Sequence, residues 1–537
     1  MIIIIIIIII YILFLSRLNN KMLEFKIIIP SKNRIDIIKN NVLKFITNNN
    51  LDKNEIYIFV NKKDYPRYKK EFINDHYNII LGRDGLINQR NFIKDYFNEN
   101  VNLLFLDDDL TGINYTGNFD LNILISQDFR HMINNNITLG SINPTNNSYF
   151  KRNEYLYGLY LAVGCYYLEI NKKNKTLYLD NIYNSEKEDY LRTIKHYCYS
   201  GRIYRNDYLN VIHKYNKKDK GGMLFENRLI NNNKCCDYIY NKYPNLTKIF
   251  YKNKGTKKEI KFNNNKCVFK KLYLDVKINS KLGKYYNDIN YKILDKNKNY
   301  LLYDKKTNTL MGVIIRNIFQ GLFNLDLLDK ITKKGTCNRS NIAGEIDINK
   351  LDYSKERKKL IKESDLIYIN DEKTRCRLKS NKFQMCNKFQ SNNLGYLKLR
   401  KELQLTTESK KYDNDFKKDY NDILEIINNL SKLHYPIIYK PVINYMNTIF
   451  TGITINNNTR AGNHYDTTNK GFCSMFCLGD FEGCNLLFPD YKLNLNLNKN
   501  KDLVLFDSKN IKHCNSEYIN DNNKRFSLVF FINQRCF

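Results

Sequence analysis

The sequence predicts two domains in series, an α/β domain followed by a β-rich domain with supporting helices. Three observations lead there. A chain of 537 residues is longer than one hydrophobic core ordinarily serves. From Glu24 to Leu106, short apolar runs alternate with helix-sized segments, the pattern of parallel strands in an α/β sheet. Beyond Cys267 the apolar runs are short and separated by turns, with one long amphipathic stretch among them.

The chain opens on Met1, Ile2 to Ile10 and Tyr-Ile-Leu-Phe-Leu15. This apolar stretch is short for a membrane span of about 20 residues and lacks the basic start and cleavage site of a signal peptide. Residues 1–21 are therefore expected to lie outside the functional protein, with Met22 as its start, and no stable membrane association is expected. A hydrophobic anchor is the alternative.

Residues 22–235 carry the α/β pattern. Phe25 to Ile29 reads as a strand running into the turn Pro30-Ser-Lys-Asn-Arg34, and a helix follows from Ile35 to Ile46. Strands are expected at Ile56–Val60 and Asn78–Gly82, a helix from Gln89 to Phe97, and a strand over Val101–Leu106. That last strand ends in Asp107-Asp108-Asp109. Ligands of open α/β sheets bind at the carboxyl ends of strands, and carboxylates there suit a hard divalent cation that also takes phosphate oxygens. An acidic loop capping the next helix is the alternative. Tyr160 to Gly164 is strand-like, and Glu186-Lys-Glu188-Asp189-Tyr190 opens a helix from Leu191 to Tyr197. An acid at a helix start is ordinarily a cap.

Ile27-Ile-Ile-Pro-Ser31 with Arg34, Gln89-Arg90-Asn91 and the Asp-x-Asp at a strand end together resemble GT-A type glycosyltransferases. The resemblance covers roughly residues 24 to 235, and base J glucosyltransferase is the relative it suggests. It implies that Arg34, Arg90 and Asn91 contact nucleotide or phosphate. Asp107 and Asp109 would hold Mg or Mn, which bridges the diphosphate of a nucleotide-sugar donor such as UDP-glucose. It also implies that Glu188 or Asp189 deprotonates the acceptor hydroxyl, and that Gly221-Gly222 forms a flexible turn over the donor.

Residues 236–265 are Asn- and Lys-rich with little apolar periodicity, which predicts a linker. In residues 266–537, short strands are expected at Phe269–Leu274, Tyr300–Tyr303 and Leu310–Ile315. An amphipathic helix from Phe416 to Leu433 should pack behind the sheet, and Ile449 to Ile455 should be the strand that feeds the next motif. That motif is His464-Tyr-Asp466, whose i and i+2 side chains point the same way on a strand. His513 follows the apolar run Leu503–Phe506, and Arg525 opens another strand-like run to Phe531. Two imidazoles and one carboxylate on one face of a metal suit a non-haem Fe(II) oxygenase, and a guanidinium clamps a carboxylate bidentately.

Cys477-Leu-Gly-Asp-Phe-Glu-Gly483 and Leu487-Phe-Pro-Asp490, ahead of Asp502 to Phe506 and His513, resemble the 2-oxoglutarate/Fe(II) dioxygenases of the TET/JBP type. The resemblance implies a double-stranded β-helix (jelly roll) and oxidation of a pyrimidine methyl group in nucleic acid. His464, Asp466 and His513 would hold Fe(II), and Arg525 would hold the distal carboxylate of 2-oxoglutarate, with Arg535 the next candidate. Arg339, in the loop Asn338 to Gly344, would shape substrate or cofactor space, or be part of a plain structural loop.

The formal net charge is +32, part of it from the Lys-favouring bias of an AT-rich coding sequence. A basic protein is drawn to polyanions by counterion release, so nucleic acid is the expected partner. Thirteen cysteines without a Cys-x-x-Cys pair argue against a disulfide framework or zinc module. They are expected to be reduced and buried, in a chain working in the nucleus or cytoplasm. An oxygenase that makes a hydroxymethyl group supplies the acceptor that a glycosyltransferase needs. The expected substrate is thymine flipped out of DNA, hydroxylated to 5-hydroxymethyluracil and then glycosylated. Two alternatives stay open: a collagen-type lysyl hydroxylase joined to a glycosyltransferase, and a basic nucleic-acid-binding protein without catalysis.

Overall fold

The computed structural model describes residues 22–115, 120–145, 147, 152–212, 227–263, 269–319, 323–333, 346–347, 366–368, 375–378, 390–399, 402–519 and 524–537. The apolar start, Gly221-Gly222 and Arg339 lie outside the described residues. The chain divides into two compact units. One runs to Lys242 and takes in Leu246–Lys266; the other is Tyr243–Asn245 with Cys267–Phe537.

The first unit is built on strands β1 (Lys26–Pro30), β2 (Ile56–Val60), β3 (Asn78–Leu81), β4 (Asn102–Leu106), β5 (Gly112–Tyr115), β6 (Leu139–Asn143), β7 (Tyr155–Gly158), β8 (Tyr166–Ile170) and β9 (Ile203–Ile212). They form one sheet in the order β3-β2-β1-β4-β8-β6-β9-β5, with β7 also on β9. The strands β3, β2, β1 and β4 are mutually parallel, and β8 runs against β4. Their near-continuous apolar character follows from burial on both faces. Ile27, Ile29, Ile58, Val60, Leu104 and Leu106 belong to one core cluster. The parallel register brings the carboxyl ends of β1 and β4 side by side.

Three expectations are corrected here. The helix expected from Gln89 spans Leu86–Tyr96, starting directly after Gly85, whose φ of 84° suits only glycine well. Tyr160 to Gly164 is irregular rather than a strand. Residues 236–265 are largely folded, not a linker. A helix, Arg228–Lys242, buries Cys235, Cys236 and Ile239. It is followed by a hairpin of β10 (Thr247–Lys252) and β11 (Lys257–Phe262), where Ile260 and Phe262 are buried. Few apolar residues sufficed: Cys235, Cys236, Ile239, Ile260 and Phe262 face inward, while Phe250 and Tyr251 stay exposed.

The second unit holds β12 (Phe269–Leu274), β13 (Lys292–Ile293), β14 (Asn299–Asp304) and β15 (Leu310–Ile315), then a small sheet of β16 (Ile346–Asp347), β17 (Leu366–Tyr368) and β18 (Arg375–Leu378). After these come β19 (Gln390–Leu399), β20 (Glu402–Leu405), β21 (Gly452–Asn457), β22 (Cys473–Asp480), β23 (Leu486–Phe488), β24 (Leu493–Asn494), β25 (Leu503–Phe506), β26 (Cys514–Asn515) and β27 (Lys524–Phe531). The larger sheet runs β12-β14-β15-β25-β22-β27-β21-β19-β20 and the smaller β13-β24-β23-β26. One core cluster joins Cys473, Met475, Cys477 and Phe506 of the larger sheet to Leu486, Phe488 and Leu493 of the smaller. The other face of the larger sheet is covered by the helix Thr407–His434, where Phe416, Ile423, Ile427 and Leu430 are buried. Ser431 and Tyr435 meet Ser474 of β22 through 2.8 Å hydroxyl contacts. The helix begins nine residues ahead of the expected Phe416 (407 against 416), capped by Thr406, whose hydroxyl accepts from the Ser409 N–H.

Two glycines of the Leu-Gly-Asp-Phe-Glu-Gly stretch are demanded by packing. Gly479 has φ 107°, and a Cβ there would sit 2.0 Å from the Lys524 carbonyl oxygen on the neighbouring β27. A Cβ on Gly483 (φ 75°) would sit 2.3 Å from the Glu517 carbonyl. Gly479→Ala therefore forces β22 and β27 apart. The expected loss is about 3 kcal/mol or more, from backbone strain plus a broken strand pair. Urea unfolding of the full chain measures it, and an unchanged midpoint would refute the close-approach account.

Candidate functional site

His464 and His513 lie opposite each other as an isolated antiparallel bridge, with N–H to carbonyl bonds of 3.0 and 3.1 Å in both directions. His464 follows β21, and His513 directly precedes β26. Asp466 is fixed by its own N–H, which donates to the Ser508 carbonyl at 2.9 Å. The i, i+2 spacing works as expected, although a single bridge rather than a continuous strand supplies the extended backbone.

The ligand atoms of His464, Asp466 and His513 all lie within 4.8 Å of one another, the one such group found among the described residues. Each imidazole is oriented by a backbone carbonyl: Nδ1 of His464 faces Gly462 O at 2.7 Å, and Nδ1 of His513 faces Ile511 O at 3.0 Å. A carbonyl only accepts, so both Nδ1 atoms carry a proton, which leaves Nε2 of each ring as its metal-ligating atom. The Nε2 atoms stand 3.7 and 3.8 Å from the two oxygens of Asp466. Two imidazoles and a carboxylate at that spacing fit a divalent first-row metal such as Fe(II), with further coordination positions left for other ligands. The His513 ring also packs edge-on against Phe506, at 5.0 Å between centroids.

Arg525 sits on β27 with 1% of its surface exposed. Its Nη1 donates to Thr459 O at 3.4 Å and its Nη2 to Cys477 Sγ at 3.3 Å, while Nε is buried without a hydrogen-bond partner. The guanidinium lies 5.4 Å from the centre of the Phe481 ring. Burial works against its charge, while Cys477, Cys484 and Tyr518 act in the opposite direction. Among the described residues no carboxylate forms an ion pair with it. Such a cation costs several kcal/mol to keep without an anion. Cys477 and Phe506, which Arg525 and His513 touch, belong to the same core cluster. That setting fits a small dicarboxylate ligand. Arg535, the second candidate, lies in the short helical turn Gln534–Cys536 and is exposed.

In the first unit the three aspartates separate into different roles. Asp108 is buried, accepts from Ser31 Oγ at 2.8 Å and pairs with Arg34 at 2.9 Å. Burial raises its carboxyl to about 6 against the opposing pull of Arg34. Arg34 also reaches Asp109 at 3.3 Å, so it ties the strand ends together. Asp107 pairs with Arg90 at 3.2 Å, and burial raises its pKa. Arg90 is buried, stands 4.0 Å from Glu188, and lies over the rings of Phe105 and Tyr167. Glu188 is gripped by Arg192, whose Nη1 donates to both carboxylate oxygens at 3.0 and 2.8 Å. Asp189 accepts from the Tyr190 N–H, and burial, then Glu188, raise its carboxyl to about 6.

The loop residue Gly164 closes this cluster. A Cβ there would crowd Asp107 at 3.2 Å and reach ordinary contact with Glu188 at 3.7 Å and Arg90 at 3.8 Å. Asn91 lies on the same helix as Arg90. Its amide donates to Leu179 O at 2.9 Å and accepts from Leu179 N at 2.8 Å, bracing a backbone segment. Sequence reasoning assigned Asp108 no separate role and did not point to Arg192. Asp108 hid in the middle of an acidic triplet, and Arg192 gave one signal, its i+4 spacing from Glu188. Cys198, Cys235, Cys236, Cys473, Cys477, Cys484 and Cys514 are buried free thiols, and Cys165 is half-buried. No helix among the described residues is long and apolar enough to cross a membrane.

No protein-family model matches the chain, and no curated protein matches it in sequence. Among solved structures it is similar to NgTET1 in complex with 5mC DNA, over 50% of this chain and 83% of that one, at 13% identity and a TM-score of 0.28. It is similar to GalNAc-T7 with UDP, GalNAc and Mn2+ over 42% of this chain and 51% of that one, at 14% identity and a TM-score of 0.27. A 2OG-Fe(II) oxygenase family oxidoreductase from Burkholderia pseudomallei shares 42% of this chain and 88% of its own, at 10% identity and a TM-score of 0.23. These likenesses are too slight to carry weight for function, which rests on the side chains.

Proposed function

We propose that this chain is a bifunctional DNA-base modification enzyme. Its second unit is read as a 2-oxoglutarate/Fe(II) dioxygenase on a double-stranded β-helix, and its first as a GT-A type glycosyltransferase. The observation that carries the reading is a group of two carbonyl-oriented imidazoles and one carboxylate, in the same unit as a buried arginine whose Nε has no hydrogen-bond partner. His464, Asp466 and His513 would hold Fe(II), and Arg525 would hold the distal carboxylate of 2-oxoglutarate. Bound together with O₂, that pair supplies an oxidant able to remove hydrogen from a methyl group, yielding hydroxymethyl, succinate and CO₂. The protein's own part is placement and exclusion of water. The wording of Cys477 to Gly483 and the net charge of +32 favour a pyrimidine methyl in DNA, thymine, flipped out of the duplex to reach the metal.

The resulting 5-hydroxymethyluracil is the acceptor for the first unit. Asp107 and Asp109 would hold Mg or Mn against the diphosphate of a nucleotide sugar. Asp189 is the better placed base, since Glu188 is neutralised by Arg192 while Asp189 carries a carboxyl raised to about 6. Nucleoside mass spectrometry tests the scheme, on thymine-containing DNA incubated with the protein, Fe(II), 2-oxoglutarate and mixed nucleotide sugars. Appearance of 5-hydroxymethyluracil and its glycoside supports it. Modification of lysine peptides instead of DNA would turn it to the lysyl hydroxylase class.

Arg525 yields its own prediction. Lysine cannot reproduce the bidentate fork, so Arg525→Lys should raise the 2-oxoglutarate requirement by about tenfold or more while iron stays bound. Arg525→Met should abolish 2-oxoglutarate binding yet raise the melting temperature of the ligand-free protein, because a buried unpaired charge is gone. A lowered melting temperature with normal 2-oxoglutarate affinity would make Arg525 a structural residue.

A further inference from the structure

The end of β4 brings its own counter-charges. Asp108 is buried and Asp107 and Asp109 are half-buried, and two guanidiniums stand against the three carboxylates. Arg34 pairs with Asp108 and Asp109, and Arg90 pairs with Asp107. Glu188 and Arg192 form a closed pair beside them and add no net charge. Within this bonded set only one net negative charge remains. A divalent ion arriving alone meets an acidic triplet that its own arginines have largely neutralised.

Arg90 is seated by rings more than by hydrogen bonds. The pairing of β4 with β8 sets Phe105 opposite Tyr167, and their rings stack at 4.4 Å. The guanidinium lies 5.3 and 5.2 Å from the two ring centres. Its Nη2 donates to Asp107 Oδ1 at 3.2 Å, while Nε and Nη1 are buried without a hydrogen-bond partner. Glu188 Oε1 is 4.0 Å away but already accepts from Arg192. The positive charge is thus fixed in place whatever Asp107 binds. The second oxygen of Asp107 fits a hard cation. Among the described residues none donates to Oδ2, which faces Gly164, where a Cβ would come within 3.2 Å. A half-exposed carboxylate oxygen at a strand end suits Mg or Mn.

We propose that Arg90 makes cation binding in the first unit depend on the donor: its guanidinium competes with the divalent ion for Asp107, and the diphosphate of a nucleotide sugar offsets that guanidinium. The inference rests on the metal-dependent transferase reading above and adds that ion and donor bind as a coupled pair. Arg90 acts through Asp107 and is a positioning residue. A brace for Asp107 would have the opposite effect, since its loss would weaken the ion's hold.

The test measures Mn2+ affinity from the paramagnetic resonance of free Mn2+, with and without UDP. The full chain carries His464→Ala throughout, so that the iron site does not take the probe. In that parent, UDP should tighten Mn2+ binding by about tenfold or more. Arg90→Met should bind Mn2+ without UDP about tenfold more tightly than the parent, and UDP should then add less than about threefold. Arg90→Lys, which keeps the charge, should retain most of the coupling. Arg90→Gln repeats the neutral case with a polar side chain, and urea midpoints show which variants fold. Unchanged or weaker Mn2+ binding in a folded neutral variant would overturn the competition and make Arg90 a brace. Equal coupling by UDP in parent and neutral variants would overturn it as well. If the parent binds no Mn2+ even with UDP, or Asp107→Ala with Asp109→Ala binds it undiminished, the metal reading of the first unit fails and takes this inference with it.

Discussion

His513→Ala is expected to lower Fe(II) affinity by more than about a hundredfold and to abolish 2-oxoglutarate turnover. The substitution removes one of three converging ligands while leaving the backbone bridge to His464, which uses only the N–H and carbonyl of residue 513. Even partners one step removed from a metal typically cost ten- to a hundredfold when lost, and a direct ligand costs more. Some stability is lost as well, since the ring packs against Phe506. Titration of Fe(II) under nitrogen separates the two effects, because the unfolding midpoint of the metal-free variant reports packing alone. Undiminished iron affinity in a folded variant would place the metal elsewhere.

The second large effect separates the two chemistries. Asp107→Ala combined with Asp109→Ala removes the proposed metal carboxylates from the end of β4 while leaving buried Asp108 and its bonds to Ser31 and Arg34 in place. DNA treated with this variant should accumulate 5-hydroxymethyluracil and carry less than about a hundredth of the glycoside made by the parent, a deficit equivalent to about 2.7 kcal/mol of barrier. The complementary His464→Ala should modify nothing on ordinary DNA. It should still transfer sugar to DNA supplied with 5-hydroxymethyluracil, provided the first unit works independently of the iron site. Oxidation without transfer from any donor, in the parent as in the variant, would mean that the first unit has lost its chemistry. Transfer to hydroxylysine peptides but not to DNA would favour the collagen-type alternative.

The sequence by itself determined the parts that depend on local periodicity. Ile27 to Ile29, Ile56 to Val60 and Leu103 to Leu106 are strands because β-branched and apolar residues in short runs between helix-sized segments have few other ways to be buried. His464 and Asp466 share a direction because an extended backbone repeats every two residues. Tertiary structure decided what depends on partners distant in sequence. It showed that Asp108 is bound into Ser31 and Arg34, that Asn91 braces Leu179, and that Arg192 neutralises Glu188. It also showed why residues 236–265 fold despite their polar composition, since a handful of inward-facing residues suffice when a helix and a hairpin supply the backbone hydrogen bonds. The glycines at 479 and 483 were legible as part of a motif, but their reason is the close approach of Lys524 and Glu517. Composition gave a charge of +32 without saying where it is used. Only the bonds of Asn463 and Lys512 join the segments that carry the two histidines to Ser280 and Lys281, because pairings across some 180 and 230 residues leave no periodic trace in the chain.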